Sequence, residues 1–460
     1  MADLLWTSEE AAKAVDGTPF GDWASTGITI DSRAVAKGDL FIAIKGPSFD
    51  GHDYVQAALK AGASAAIVSH IPKDCRKDDN LLLVRDTTKA LEQLGIAARA
   101  RSNAKIIAVT GSVGKTGVKE ALASVLSQQG KTHATIGNLN NHFGLPLTLA
   151  RMPRDCDYAV LELGMNHAGE LTPLSHMAKP HAAIITTIAS AHLEHFNGLE
   201  GICDAKCEIF AGLDQDGVAI LNADNAFFDR MKDAALGHRI LGFGTSSKAD
   251  FKAIDATPVA TGTDIKADLN GHALNYTIAH QGQHWVGNSL CVLAGVVALG
   301  ADVKQAAAHL GQLAQLKGRG AVHHIDAPFG SIQVIDESYN ANEASMRAAL
   351  EVLSLKEGRR IAVLGDMLEL GPDEVNIHAG LVDACDPIDL VFTCGPLMKH
   401  LHDALPQAKR GAHAPDSKHL APLVVQSLRA GDIISIKSSK GSRTVIVLDA
   451  LLDLDVKKET

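Results

Sequence analysis

Six consecutive residues, Gly111-Ser112-Val113-Gly114-Lys115-Thr116, are of the types that hold a nucleotide phosphate. Backbone N–H groups of a glycine loop and of a following helix start point at an anion. Lys115 would reach the β- and γ-phosphates, and the Thr116 hydroxyl would hold Mg²⁺. The standard loop has four residues between its first glycine and the Gly-Lys pair, whereas this one has two. The bland alternative is a strand-to-helix turn with a chance Gly-Lys-Thr. Against it, an apolar β-branched run, 106–109, precedes the loop. Val118, Ala121, Leu122, Val125 and Leu126 follow at helical spacing, with Gly130 placed to end the helix.

Other residues could serve the same chemistry. Glu162 is the one acid in Ala159-Val160-Leu161-Glu162-Leu163. An acid at a strand end near a phosphate loop is a reasonable Mg²⁺ ligand, and a salt-bridged surface Glu is the alternative. His192 or His195, beyond another apolar strand, could add to that site, although such a histidine is more often an ordinary loop group. Lys206 shares a helix face with Leu199, Ile202, Cys203 and Phe210. It either snorkels to water or enters the site with a depressed pKa, where its neutral amine could take up CO₂ as an anionic metal ligand. His284 and Asn288, four residues apart, precede or enter an apolar helix and could contact a base or a ribose, with capping and packing as equal alternatives. Asp336-Glu337-Ser338-Tyr339-Asn340-Ala341-Asn342 lies between a strand and a helix, with Asn342 suited to the N-cap. Lys440-Gly441-Ser442-Arg443 reads as a basic turn between two strands and a second anion-binding candidate, with an ordinary charged hairpin as the alternative.

Elements that would carry these groups alternate between short strands and helices. That implies an α/β protein with mainly parallel sheets covered by helices on both faces. Strands are expected at 28–30, 40–44, 65–68 and 81–84, with a helix at 54–61. In the middle of the chain they are expected at 106–109, 158–163, 182–188, 218–222 and 240–243. Toward the end they fall at 332–335, 360–364, 390–393, 433–436 and 445–447. Asp31-Ser32-Arg33, and Lys45 through Asp50-Gly51-His52, follow strands in the first unit; alone they read as solvated loops.

A chain of 460 residues suffices for two to four domains. A net charge of -10 argues against a general nucleic-acid surface. The N-terminus lacks the basic-then-apolar pattern of a signal peptide, and the longest apolar run, near 291–301, is too short to span a bilayer. Seven scattered cysteines suit free thiols in a cytoplasmic protein, and Cys203 and Cys207 lack the second pair of a zinc site.

Together these residues resemble the Mur ligases of peptidoglycan synthesis. The matching stretches are DSRAVAKGDLFIAIKG, FDGHDYV, GNLNNHFGLPLTL, LELGMNHAGE, HLEHFNGLEGI, AKCEIF, VIDESYNANEASM, LGDMLELG and KGSR, spread over nearly the whole chain. The resemblance implies three domains: 1–103 for the UDP-sugar substrate, a P-loop-type central ATP-binding domain at 104–317, and a Rossmann-like C-terminal ligase domain at 318–460. It makes Gly111, Ser112, Gly114, Lys115, Thr116, Asn288, Arg319, Asp336, Tyr339 and Asn340 nucleotide contacts. Thr116, Glu162, His192 and Lys206 become metal-site groups, with Lys115, His192 and Lys206 catalytic. Ser32, Arg33, Lys45, Asp50, Asn140 and Asn141 become substrate contacts.

LGDMLELG, and the absence of an Asp-Asn-Pro-Arg signature, favour the branch that adds a dipeptide over the one that adds a single third amino acid. The implied reaction joins D-alanyl-D-alanine to a UDP-N-acetylmuramoyl-tripeptide, using ATP and Mg²⁺, in a cytoplasmic monomer without nucleic acid or membrane span. A phosphate-loop switch that binds nucleotide without ligation is the rival of another class. Val113 and Gly117 depart from the family's usual polar residues, but the loop backbone can still cradle phosphate.

Overall fold

The computed structural model describes residues 4–76, 78–190, 193–259 and 262–456. Its centre is a nine-stranded sheet. From one edge the strands run His272–Ile278, Gly262–Leu269, Phe251–Val259, Arg239–Gly244, Val218–Asn222, Ala182–Ile185, Lys105–Thr110, Tyr158–Glu162 and Thr132–Ala134. The strands from Phe251–Val259 to Thr132–Ala134 pair in parallel, while the first three form an antiparallel meander. Residues 251–278 were not expected to add strands. Their burial alternates, and Lys252, Asp255, Asp264, Lys266 and Asp268 interrupt the apolar signal.

Strand Lys105–Thr110 explains why its sequence is a continuous apolar run. Ile107 and Val109 pack against helices Lys115–Ser127 and Gln283–Ala298 on one face. Ile106 and Ala108 pack on the other, with Leu145, Leu174 and Ile202 from three further helices. A parallel strand covered on both faces cannot alternate with polar residues.

The first unit has a five-stranded sheet ordered Thr18–Phe20, Leu81–Leu83, Ala65–Val68, Asp39–Ile42, Gly27–Thr29. Its core extends to Leu147 and Ala150 of helix Gly144–Ala150, and Arg151 Nε donates to Ile28 O at 2.6 Å. The first sheet is thus pinned against the central one.

The last unit has a six-stranded sheet ordered Ala321–Ala327, Gly330–Glu337, Asp432–Lys437, Arg359–Gly365, Leu390–Cys394, Arg410–Ala414. The expected strand at 445–447 is instead the start of helix Val445–Leu452. Val447, Leu448 and Leu451 are buried at helical spacing, and this packing overrides the β-preference of Val-Ile-Val. Lys440–Ser442 is therefore a turn from strand to helix and not a hairpin between strands. The sheet edge is taken by Arg410–Ala414, whose RGAHA sequence carries little strand signal.

Candidate active site

The phosphate loop is held open from beneath. Gly111 adopts φ +145°, and a Cβ there would fall 1.9 Å from Thr186 Oγ1, so only glycine fits. Ser112 N–H donates to Thr187 O at 2.8 Å, and its hydroxyl bonds Ala189 O at 2.8 Å. Gly114, at φ +87°, lets the chain turn into helix Lys115–Ser127 and approach Asn288: a Cβ would meet its Oδ1 at 3.1 Å. Lys115 Nζ folds back onto Gly111 O and reaches Ser112 O at 3.4 Å. Burial lowers its pKa; Glu162 opposes that, and Arg319 of the last unit adds to it.

Glu162 ends its strand almost fully buried, at 2% exposure. Its Oε2 accepts from Thr116 Oγ1 at 2.9 Å and its Oε1 from Asn140 Nδ2 at 2.8 Å. Its own N–H is fixed by Thr135 Oγ1 at 3.0 Å, and Thr135 O accepts from the buried Lys119 ammonium at 2.8 Å. A carboxylate and a hydroxyl are oxygen donors a hard dication takes. Among the described residues no group of three or more His, Cys, Asp and Glu is placed to hold a metal ion by itself. Mg²⁺ keeps water and phosphate oxygens in its shell. Lys206, 2% exposed, faces the same region: burial first, then the Lys115 cation, hold its pKa well below the usual lysine range. His192 lies outside the described residues. His195 stacks obliquely on His167, with ring centroids 4.3 Å apart.

The last unit contributes a second wall. Asp336, 1% exposed, accepts from Gly318 N–H at 2.8 Å and from the Ser338 hydroxyl at 2.6 Å. Arg319 lies over the Tyr339 ring, 4.3 Å from its centroid, and Asn340 is exposed. Asn342 caps helix Glu343–Ser354 in a reciprocal box with Ser345. Between this wall and the start of helix Gln283–Ala298 is a cavity of about 300 Å³, lined in part by His280, His284, Trp285, Gln315, Glu337 and Lys356. His280 stacks on Trp285 at 3.9 Å, neither ring nitrogen has a hydrogen-bond partner, and burial pushes its pKa down to about 4.

The remaining sequence candidates are placed differently. Arg33 is exposed and spans both oxygens of its neighbour Asp31, at 2.9 and 2.8 Å. Asp50 pairs with the buried His52 at 2.6 Å; Lys45 is exposed and Ser32 half-buried. These four stand at carboxyl ends of the first sheet's strands and make no hydrogen bond to the phosphate loop among the described residues. Asn141 Oδ1 accepts from Phe143 and Gly144 N–H, at the start of helix Gly144–Ala150. Sequence reasoning assigned no role to Lys119 or Lys437, and read Glu337 only as one of the polar residues of the 336–342 segment, well placed to face a cleft. Their one sequence signal was position at a strand end or inside a buried helix face.

Three family models match in order: Mur ligase family, catalytic domain at residues 25–85; Mur ligase middle domain at 109–296; and Mur ligase, glutamate ligase domain at 318–440. The chain belongs to the Mur ligase family and is an enzyme of the ligase class. It is 35% identical over 460 residues to the UDP-N-acetylmuramoyl-tripeptide--D-alanyl-D-alanine ligase of Rickettsia prowazekii, covering 98% of this chain and 99% of that protein. To the same-named ligase of Escherichia coli it is 36% identical over 420 residues, 91% of each. Among solved structures, MurF from Acinetobacter baumannii superposes with a TM-score of 0.87 at 31% identity, covering 98% of this chain and 99% of that one. MurF from Thermotoga maritima in complex with ADP gives 0.80 at 25% identity, covering 94% and 98%.

Proposed function

We propose that the chain joins D-alanyl-D-alanine to a UDP-N-acetylmuramoyl-tripeptide at the expense of ATP. Full-length relatives of that name support the substrates. The observation that carries the chemistry is the meeting of Thr116 and Glu162 beside Lys115 and the buried Lys206. A carboxylate does not condense with an amine unaided, because its oxygens leave poorly. In the first step the tripeptide's terminal carboxylate oxygen attacks the γ-phosphorus, ADP departs, and an acyl phosphate remains. In the second, the dipeptide amine attacks the acyl carbon. The C–O bond breaks, inorganic phosphate leaves, and the nitrogen loses a proton as the amide forms.

Lys115 and the loop N–H groups bind the phosphates and offset charge in the first step. Thr116 and Glu162 would hold Mg²⁺, which supplies further charge neutralisation when bound. Asn288 and the cavity beside Trp285 offer the base a polar and aromatic wall. Residues 104–317 form the nucleotide domain and 1–103 the UDP-sugar domain, with Ser32, Arg33, Lys45 and Asp50 at its strand ends. Residues 318–460 close over both, so Arg319, Asp336, Tyr339 and Asn340 exclude water from an intermediate that water would destroy. No helix of the described residues is long and apolar enough to cross a membrane. A monomer acting in the cytoplasm belongs to the same proposal.

The test is ADP release by purified protein given ATP, the UDP-muramoyl tripeptide and D-alanyl-D-alanine, with the pentapeptide product read by mass. Release with all three and none without the dipeptide is expected. ATP turnover independent of the amine, or none at all, sinks the reading.

A further inference from the structure

Lys437 is an enclosed cation that the steps above leave unused. It ends strand Asp432–Lys437 at 2% exposure. Parallel register sets it beside Glu337, the last residue of strand Gly330–Glu337, so the segments following both strands leave the same sheet edge. Its Nζ donates to Asn340 O at 3.0 Å and lies 3.6 Å from Glu337 Oε2. Two residues on, Ser439 Oγ donates to Ala341 O at 3.2 Å. Successive carbonyls of the 336–342 segment are thus gripped from one neighbouring strand end.

The same cation acts across the seam. Burial first, and then this cation, depress the His284 imidazole, at the start of helix Gln283–Ala298 in the central unit. Burial pulls the Lys437 pKa down, while Glu337 and Asp336 oppose the fall and Arg319 adds to it. Enclosing a lysine is costly unless it is hydrogen-bonded and paired, and here one donor goes to a loop carbonyl while a carboxylate stands 3.6 Å away.

We propose that Lys437 is a positioning residue for the ligation: through the Asn340 carbonyl it holds Asp336–Asn340 in the conformation that meets the nucleotide. Asp336 and Asn342 are tied down at the two ends of the segment, by Gly318 and Ser338 and by Ser345. Between them, the Lys437 and Ser439 bonds and the Arg319–Tyr339 stack restrain residues 339–341, together with the burial of Ala341 in the core. Without Lys437, Asn340 and Tyr339 would sample other conformations, and ordering them would be charged against ATP binding. The inference rests on the nucleotide reading of that segment under the proposed function.

The experiment compares Lys437→Met, Lys437→Arg and the double variant Glu337→Gln/Lys437→Met in the full-length chain, by steady-state kinetics and thermal unfolding. Lys437→Met should raise KM for ATP about tenfold or more, the scale of one lost hydrogen bond from a charged donor, with KM for the UDP substrate within about twofold. Lys437→Arg should recover most of that loss. The double variant removes the unpaired Glu337 charge, so it should regain unfolding temperature while KM for ATP stays high. If Lys437→Met does not fold, the double variant carries the same comparison. An unchanged KM for ATP, a double variant that recovers both properties, or an equal rise in every KM overturns the inference. A wild-type chain that binds no ATP overturns the ligase reading and this inference with it, whereas normal ATP binding in Lys437→Met overturns this inference alone.

Discussion

The Thr116 hydroxyl donates to Glu162 Oε2 at 2.9 Å, joining the first turn of the phosphate-loop helix to the end of the neighbouring strand. The two residues are 46 positions apart in sequence. Parallel pairing of Lys105–Thr110 with Tyr158–Glu162, in which Glu162 stands opposite Val109, brings them together. Glu162→Gln keeps the volume but removes the charge and replaces one acceptor oxygen by an NH₂ donor. It should lower kcat by about 100-fold or more, the scale for a single group that stabilises transferring charge. Mn²⁺ affinity, read by electron paramagnetic resonance in the presence of ATP, should fall with it. Unchanged Mn²⁺ affinity would falsify the metal role.

Asn140 holds the other Glu162 oxygen, at 2.8 Å. Reading it purely as a substrate contact therefore leaves out its nearest partner. Asn140→Ala should raise the Mg²⁺ concentration needed for half-maximal activity several-fold, because loss of an orienting partner loosens a ligand. A titration of Mg²⁺ at saturating tripeptide separates the two roles. If only KM for the tripeptide moves, the Asn140–Glu162 bond has no part in the metal site.

Contiguity in sequence decided what could be read without coordinates. The phosphate loop is six adjacent residues between a buried strand and an amphipathic helix, and the structure keeps that order. Glu162 was legible because one acid in an apolar strand needs a reason. Lys437 and Glu337 were not, since each ends a strand next to a more conspicuous polar motif, and only register shows that they meet. Val445 to Val447 misled because β-branched residues favour strands until buried helical packing decides otherwise. The short loop also matched the family's pattern better than the general one, which is why resemblance added most at the site.

His280 offers a pH test of the seam. Its ring is buried with neither nitrogen bonded, and its pKa falls to about 4 from burial. The unfolded chain, with an ordinary histidine near 6.5, binds a proton in the window where the folded chain does not. Stability should therefore be fully present above about pH 6.5 and fall as pH drops toward 4, by up to about 3 kcal/mol from this group. His280→Phe, which keeps a ring against Trp285, should flatten that part of the profile in urea unfolding from pH 4 to 7. An equally steep profile in the variant would assign the slope to other groups.

Lys206 shifts stability with pH in the same direction, and ties that shift to function. Burial and the Lys115 cation depress its pKa, so folding is penalised at any pH where the unfolded lysine is charged. The penalty is full below the folded pKa and vanishes as pH rises through the ordinary lysine value near 10.4. In CO₂-free buffer, Lys206→Met should therefore unfold at a higher temperature than wild type at pH 7, and the gap should narrow toward pH 10. The same depression raises the share of neutral amine, which can add to CO₂ with loss of a proton, giving a carbamate whose oxygens suit a hard cation. Wild-type activity should thus fall on CO₂ depletion and return with bicarbonate, while Lys206→Met stays inactive in both. Carbon-13 NMR with labelled bicarbonate should show a carbamate signal in wild type and none in the variant. Full activity of wild type without CO₂ would remove the carbamate from the mechanism and leave Lys206 as a buried amine beside the phosphate loop.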